Sequence, residues 1–148
     1  MPDKVDVVSA ARFTLSVDGL PKMEFSELTG ISMEIDVVEF QDNNAEGKVT
    51  LHKLPGKMKP PTIGLKRPMN SVIGLWEWHE ALALGGYNVS RRNGNLTMHD
   101  FEGTPVASYE FLGAWPSKVN LGGLKAGQSE VLIEEVTITC EMLKRVPV

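Results

Sequence analysis

Residues 13–19 have the sequence FTLSVDG, in which apolar and polar residues alternate before an Asp-Gly pair. Phe13, Leu15 and Val17 therefore point to one side of an extended chain, because successive side chains of a strand face opposite directions. Asp18-Gly19 favours a tight turn, since glycine reaches the left-handed conformation that many such turns need. The stretch predicts a β-strand with one buried face, followed by a turn.

The same two-residue period returns along most of the chain. Further inward-facing sets are predicted at Met23 and Phe25, at Ile31, Met33, Ile35 and Val37, at Leu96 and Met98, and at Val136, Ile138, Cys140 and Met142. In the extended run 106–115, Tyr109, Phe111 and Trp115 are predicted to share one face. Strands with one apolar face, repeated in this way, predict a protein built mainly of β-sheet.

Proline and glycine mark the predicted ends of several strands. Because proline lacks the backbone N–H that a sheet ladder uses, Pro55-Gly56 and Pro116 are each predicted to end a strand. The polar stretch 41–48 is typical of a loop or hairpin tip, and the Gly-rich stretch 120–128 is typical of a loop.

One segment, 71–85, has helical periodicity. Its apolar stripe is predicted from residues spaced three and four apart, namely Val72, Leu75, Trp76, His79 and Ala83. Asn70 or Ser71 is expected to cap the start, and Gly85-Gly86 to close the end. Strands on both sides of a single helix predict a mainly β fold, a barrel or sandwich of two packed antiparallel sheets with one flanking α-helix. We expect residues 1–148 to form a single domain.

Composition narrows the classes of function. A net charge of −4 argues against binding to a phosphate backbone. Residues 1–11 lack the apolar core of a signal peptide, and no apolar run reaches the roughly 20 residues that a membrane span needs. We therefore expect synthesis in the cytoplasm without a signal peptide and without a membrane span. Cys140, the single cysteine, is predicted to be a small buried hydrophobe.

Motifs for catalysis are missing from the sequence. It contains no glycine-rich phosphate loop, no dinucleotide-binding fingerprint and no nucleophile elbow. His52, His79 and His99 fall on three separate predicted elements, and none has a second ligand at metal spacing. We therefore predict no catalytic residue, no cofactor and no metal site, and hence a protein that is not an enzyme.

Charge is distributed unevenly along the first half of the chain. An acidic group precedes a basic, proline-rich group; the acidic residues are Glu34, Asp36, Glu39, Asp42 and Glu46, and the basic ones are Lys53, Lys57, Lys59, Lys66 and Arg67. Two interpretations stay open at this point. The groups are either two solvated edges or complementary patches for self-association, which set register and association rate more than affinity.

The order of these segments resembles the tail tube family of contractile-tailed phages, which includes the inner tube proteins of phage-tail-like contractile injection systems. The similarity extends from about Phe13 to Arg145. The segments that carry it are 13–19 (FTLSVDG), 25–31 (FSELTGI), 54–57 (LPGK), 63–67 (IGLKR), 75–78 (LWEW), 100–106, 113–118 (GAWPSK) and 130–136 (EVLIEEV).

The resemblance implies a tail tube or Hcp-like barrel that assembles into stacked hexameric rings, with strands pairing between subunits around a hollow axis. It implies an N-terminal arm at 1–11 and a long loop or hairpin at 38–61 that reaches the next ring. The implied partners are further copies of the chain, a sheath protein, baseplate and terminator or cap proteins, and cargo or DNA in the lumen. The particle would be cytoplasmic, released outside the cell, or a virion.

On this basis we assign expected roles to individual charged residues. Contacts between subunits or rings are expected from Glu39, Asp42, Glu46, Lys53, Lys57 and Lys59. Glu34 and Asp36 are expected to line the lumen, where their charge would keep cargo or DNA from adhering.

Other functions stay open from sequence alone. A tail tube of a phage virion and a secreted ring protein of the type VI apparatus would share the fold. A monomeric barrel that binds a small ligand would need an apolar cavity with a few convergent polar groups. An enzyme is least supported, because no set of acid, base and nucleophile stands out.

Overall fold

The computed structural model describes residues 9–43, 45–85, 91–122 and 131–148. This part of the chain forms ten strands and one helix. They are β1 (Arg12–Val17), β2 (Met23–Phe25), β3 (Glu27–Ser32), β4 (Ile35–Asn43), β5 (Val49–Met58), β6 (Thr62–Pro68), α1 (Gly74–Ala83), β7 (Arg92–His99), β8 (Pro105–Leu121), β9 (Ile133–Thr139) and β10 (Met142–Val146). Gly86 and most of the loop predicted at 120–128 lie outside the described residues.

Seven strands follow one hydrogen-bonded path that wraps around a core, and an eighth strand joins it at the side. The order is β2-β1-β7-β8-β9-β6-β3, and β10 pairs with β8. We call β1, β2, β7, β10 and the first half of β8 the first sheet, and β3, β6, β9 and the second half of β8 the second sheet. All pairs are antiparallel. The Ser26 N–H, between β2 and β3, donates to the Lys66 carbonyl of β6 at 3.0 Å and ties the β2–β3 connection to the second sheet. The predicted two-sheet β-barrel with one helix is confirmed.

The core is filled by side chains from both sheets and from the helix. Its members follow the predicted two-residue period; fully or almost fully buried are Phe13, Leu15, Val17, Met23, Phe25, Ile63, Leu65, Leu96, Met98, Phe111, Val136, Ile138 and Cys140. Trp78 of α1 is 1% exposed and packs among them. Because these side chains occupy the barrel interior, the described fold has the filled centre of a packed core.

Two strands continue through the prolines that were predicted to end them. β8 runs past Pro116 to Leu121, and β5 runs past Pro55-Gly56 to Met58. Both prolines lie beside a register shift, at Pro116/Lys118 and opposite Ile35/Val37. A missing N–H disturbs a ladder least at such irregular positions, which explains why the strands persist.

A bulge in β8 also overturns the predicted face of Trp115. Gly113 has φ +59°, a conformation that favours glycine, and the strand bends there from the first sheet into the second. The bend reverses the alternation, so that Phe111, Ala114 and Pro116 are buried while Trp115 is turned outward. Period-two reasoning could not anticipate this change, because one irregular residue inverts every following position.

The strand predicted across 31–37 is divided in the structure. β3 ends at Ser32, and Met33, Ile35 and Val37 are more than half exposed because the chain leaves the barrel here to start β4. Met142, predicted to face inward, is likewise exposed at the start of β10.

The helix is shorter than the predicted 71–85, and its buried face is rotated. Gly74, Leu75 and Trp78 are buried, whereas Trp76 is 38% exposed. Asn70 Oδ1 accepts from the Val72 N–H at 2.9 Å, but no side chain caps the first turn of the helix itself. Gly85 ends the helix with φ +92°, as predicted.

A buried ion pair connects the second sheet to the helix. Arg67 was grouped with exposed basic residues by sequence, but its side chain and that of Glu134 are each 2% exposed. Arg67 Nε donates to Glu134 Oε2 at 2.9 Å, and Trp76 Nε1 donates to Glu134 Oε1 at 2.9 Å. Arg67 Nη2 donates to the Val72 carbonyl at 3.2 Å. Both carboxylate oxygens therefore have partners, as a buried charge requires.

We expect Glu134→Ala to lower the free energy of unfolding by about 3–5 kcal/mol, because it leaves the Arg67 charge buried and unpaired. Urea unfolding followed by far-UV circular dichroism measures the change. Glu135→Ala, on the adjacent outward position of β9, is the matched control and should stay within about 0.5 kcal/mol. Equal effects of the two substitutions would contradict the assignment.

Candidate assembly interface

The β4–β5 hairpin stands apart from the barrel. Its strands pair antiparallel over Ile35–Met58 and form no ladder with any other strand of the described chain. At its base the Lys59 N–H donates to the Glu34 carbonyl at 2.9 Å. An isolated two-stranded hairpin is marginally stable in water, so it gains stability by packing on another surface.

Both faces of this hairpin carry exposed apolar side chains. The register places Val38 beside Leu54 and Phe40 beside His52 on one face, and Gln41 beside Leu51 on the other. The Phe40 and His52 rings stack with centroids 5.0 Å apart. The exposed apolar residues and their exposed fractions are Val37 64%, Val38 48%, Phe40 43%, Val49 61%, Leu51 54% and Leu54 52%. Exposed apolar patches of this kind mark interaction surfaces. Because both faces of the hairpin are apolar, we expect each face to contact a partner surface.

The charged residues selected from sequence lie on and beside the hairpin. Glu39 and Lys53 face each other across the two strands with 3.8 Å between carboxylate and ammonium, and Asp42 lies 3.9 Å from His52. Lys57 is exposed near the end of β5, and Glu46 lies in the turn at the tip. The acidic and basic groups are thus partly paired within one copy. Exposed pairs of this kind contribute little to stability.

Lys59 joins the two residues that were expected to line a lumen. Its ammonium lies 3.4 Å from Glu34 and 3.4 Å from Asp36. The Glu34 carboxylate, and then that of Asp36, raise the pKa of Lys59 above its ordinary value. The structure therefore places all three at the base of the hairpin, and the two acidic charges share one cation.

The outward face of the second sheet is lined by small and hydroxyl side chains. Since Ile63, Leu65, Val136 and Ile138 point into the core, their neighbours point outward. The register gives two outward rows, Ser32-Thr62-Thr139 and Gly30-Gly64-Thr137. Thr139 Oγ1 donates to Ser117 Oγ at 2.8 Å, and Ser117 Oγ donates to the Thr137 carbonyl at 3.1 Å.

Charges of both signs border these rows. Glu27, Lys66 and Glu135 lie side by side on three strands, and Lys118 pairs with Thr137. The charges of these two acidic and two basic side chains cancel. The sequence did not lead us to predict this face. Threonine, serine and glycine at the polar positions of the predicted strands could have indicated it.

The second sheet also has two open edges. Within the described residues, β3 pairs only with β6, and 115–121 of β8 pairs only with β9. Each leaves backbone N–H and C=O groups on its outer side that are available to another strand.

No arrangement typical of catalysis emerges from the described residues. Among them, no three His, Cys, Asp or Glu side chains converge as metal ligands. His99 lies within hydrogen-bonding distance of Thr14 Oγ1 and the Gly103 carbonyl, at 3.1 and 3.2 Å. Cys140 is buried, and burial raises its thiol pKa to about 12, so the reactive thiolate is scarce. The one described helix is too short and too polar to cross a lipid bilayer.

Solved structures share this fold. A chain of the extended sheath–tube complex of PVC, an extracellular contractile injection system, is 19% identical with a TM-score of 0.77, over 96% of this chain and 93% of that one. A chain of the tube-terminating cap of the anti-feeding prophage is 19% identical with a TM-score of 0.76, over 99% and 97%. Hcp1 from E. coli EAEC 042 is more distant, 11% identical with a TM-score of 0.52, over 93% and 92%. No curated protein sequence matches significantly.

The family is established by sequence. The model described as T4-like virus tail tube protein gp19 matches residues 9–144, which include the barrel, the hairpin and the helix. This match confirms the resemblance inferred from the ordered segments between Phe13 and Arg145. The chain belongs to the T4-like virus tail tube protein family.

Proposed function

We propose that this chain builds the inner tube of a phage-tail-like contractile injection system, as stacked hexameric rings through which cargo passes. The observation that carries the proposal is the hairpin with apolar side chains exposed on both faces, next to a sheet with two open edges. A monomer would leave these groups in water, whereas a ring and a stack would cover them. The similar chains come from a sheath–tube complex, a tube cap and the baseplate of the anti-feeding prophage, which supports a sheath, a baseplate and a cap as partners.

In the proposed ring, β3 of one copy pairs with the second half of β8 of the next. These are the two edges of the same sheet, so the contact is head-to-tail and closes after a full turn. The outward rows around Thr62 and Thr137 then form the lumen wall. Trp115, which pairs with Thr139, lies at the end of this wall. The rest of the wall consists of hydroxyl groups, glycine and balanced charges, and offers cargo neither a large apolar patch nor a strong field. Glu34 and Asp36 follow Ser32 along the chain and lie at the rim of this wall.

The hairpin is the proposed contact between neighbouring rings. Val38 and Leu54 cover one partner surface, and Leu51 on the opposite face covers another. The charged residues beside them, Glu39, Asp42, Glu46, Lys53, Lys57 and Lys59, set the register of this contact. A phage virion tube would use the same ring. Capsid genes beside this gene would favour the virion, and sheath, baseplate and AAA+ ATPase genes without them favour the injection system.

The first test is assembly of the purified full-length chain. We expect size-exclusion chromatography to show oligomers, and negative-stain microscopy to show rings of uniform diameter and tubes with a hollow axis. A chain that stays monomeric at every concentration, with or without added tube ends, would contradict the proposal.

The second test concerns the hairpin. We expect Val38→Ser with Leu54→Ser to raise the concentration needed for tube formation at least about ten-fold, because an apolar contact is lost between copies. Sedimentation velocity measures assembly. Thermal unfolding should be nearly unchanged, since both side chains are already exposed. Thr50→Ser, at an exposed polar position on the same face that is given no role in the contact, is the control. Tubes at the parent concentration would refute the hairpin contact.

The third test concerns the rim of the lumen. Glu34→Lys with Asp36→Lys should leave rings intact but reduce cargo loading or passage, because the reversed charges attract acidic groups. Glu77→Lys with Glu80→Lys, which reverses two exposed acidic charges of α1 outside the proposed contacts, is the control and should keep cargo passage. Delivery by the double variant at the parent level would show that Glu34 and Asp36 do not act on cargo.

A further inference from the structure

Phe101 has an exposed aromatic ring that belongs neither to the barrel core nor to the hairpin. It lies in the turn between β7 and β8 and is 94% exposed. A fully exposed aromatic ring is unfavourable in water unless a partner surface covers it.

The turn that presents Phe101 is held by several hydrogen bonds. Asp100 Oδ1 accepts from the backbone N–H groups of Glu102 and Thr104, each at 2.9 Å. The Gly103 N–H donates to the Asp100 carbonyl at 3.1 Å, and Gly103 has φ +86°, which favours glycine. The ring is therefore offered on a preorganised support, and binding it costs little additional ordering.

A pocket of matching size lies at the opposite end of the first sheet. It has a volume of about 230 Å³ and is lined by Met58, Lys59, Pro60, Trp115, Cys140 and Glu141. A cavity of about 150 Å³ is already large enough for a benzene ring. The apolar and aromatic part of this lining, Met58, Pro60 and Trp115, is suited to a phenyl side chain.

The strand register separates the two features. His99 pairs with Pro105 beside the Phe101 turn, whereas Arg92 pairs with Ala114 beside the pocket. The eight residues of β7 span about 25 Å between them. Phe101 and the pocket thus lie on opposite ends of one copy, and Phe101 cannot reach its own pocket.

We propose that Phe101 of one copy inserts into the Met58–Trp115 pocket of a copy in the next ring. This inference rests on the proposed tube function. A knob and a pocket on opposite ends make a head-to-tail contact that repeats without closing, which is the symmetry of a growing stack. Met58 and Lys59 are also at the base of the hairpin, so the pocket is continuous with the proposed ring-to-ring contact.

A second cavity beside the Phe101 end fits this symmetry less well. It has a volume of about 440 Å³ and includes Arg12, Phe25 and Met69 in its lining. It lies at the same end of the barrel, because Arg12 pairs with His99. A contact between this cavity and Phe101 would join two copies end to end as a closed pair and stop growth.

Phe101→Ser is the direct test. We expect rings to form at the parent concentration but to stack into tubes only at a concentration at least about ten-fold higher, as for loss of a central aromatic anchor. Leu84→Ser is the matched control, because Leu84 is 81% exposed but lies outside the proposed contact. Thermal unfolding of both variants should match the parent. Tubes from Phe101→Ser at the parent concentration would overturn the contact and leave the tube function standing, whereas a parent chain without rings would overturn both.

Cross-linking tests the pocket itself. Tubes of Phe101→Cys with Met58→Cys are assembled above the raised concentration that loss of the Phe101 ring is expected to require. Under mild oxidation they should give a ladder of covalent oligomers on a denaturing gel, since each disulfide joins one ring to the next. The buried Cys140 is poorly reactive and stays in place. Phe101→Cys with Leu84→Cys is the control and should give no ladder. Absence of the ladder from the first pair in intact tubes would overturn the assignment of this pocket.

Discussion

The unpaired backbone along two edges of the second sheet is the constraint on which the rest of the structure depends. β3 and the second half of β8 each use one side for hydrogen bonds and leave the other side open within the described residues. Exposed edges are a hazard for a monomer because any extended chain can pair with them. In a head-to-tail ring the same groups find partners in sister copies. In the proposed ring the sheet is completed by its neighbours, and its outward hydroxyl face lines the channel.

The barrel has to hold these edges in a fixed orientation, and two features do so. The bulge at Gly113 bends β8 from one sheet into the other, so that a single strand fixes the angle between them. The buried Arg67–Glu134 pair, with Trp76 as a third partner, connects β6 and β9 to the helix. A buried ion pair need not add much to the stability of a fold, but removing one of its members is strongly destabilising because the other charge is left buried and unpaired. Here it orients the second sheet against the rest of the barrel.

In the proposed tube, lateral and axial contacts use different chemistry. The proposed ring depends on backbone hydrogen bonds along sheet edges, which are directional and repeat at a fixed spacing. The proposed stack depends on apolar groups, namely the two-faced hairpin and the aromatic ring of Phe101, whose attraction is less directional. The face proposed to line the lumen carries hydroxyl groups, glycine and balanced charges, with Trp115 at its end. Rings would then form and join by distinct contacts.

Local periodicity was enough to predict much of the barrel and the helix. Alternation around Phe13, Leu96 and Val136 identified strands and their buried faces, because a side chain on a strand faces the core or solvent according to position alone. The order of short segments was enough to identify the family.

Local periodicity could not predict the irregular positions of the chain. The bulge at Gly113 turned Trp115 outward, and the exit of the chain after Ser32 left Met33, Ile35 and Val37 exposed. Burial of Arg67 with Glu134, and the separation of Phe101 from its proposed pocket, depend on strand register. Register joins residues far apart in sequence, so only the tertiary structure decided which side chains meet.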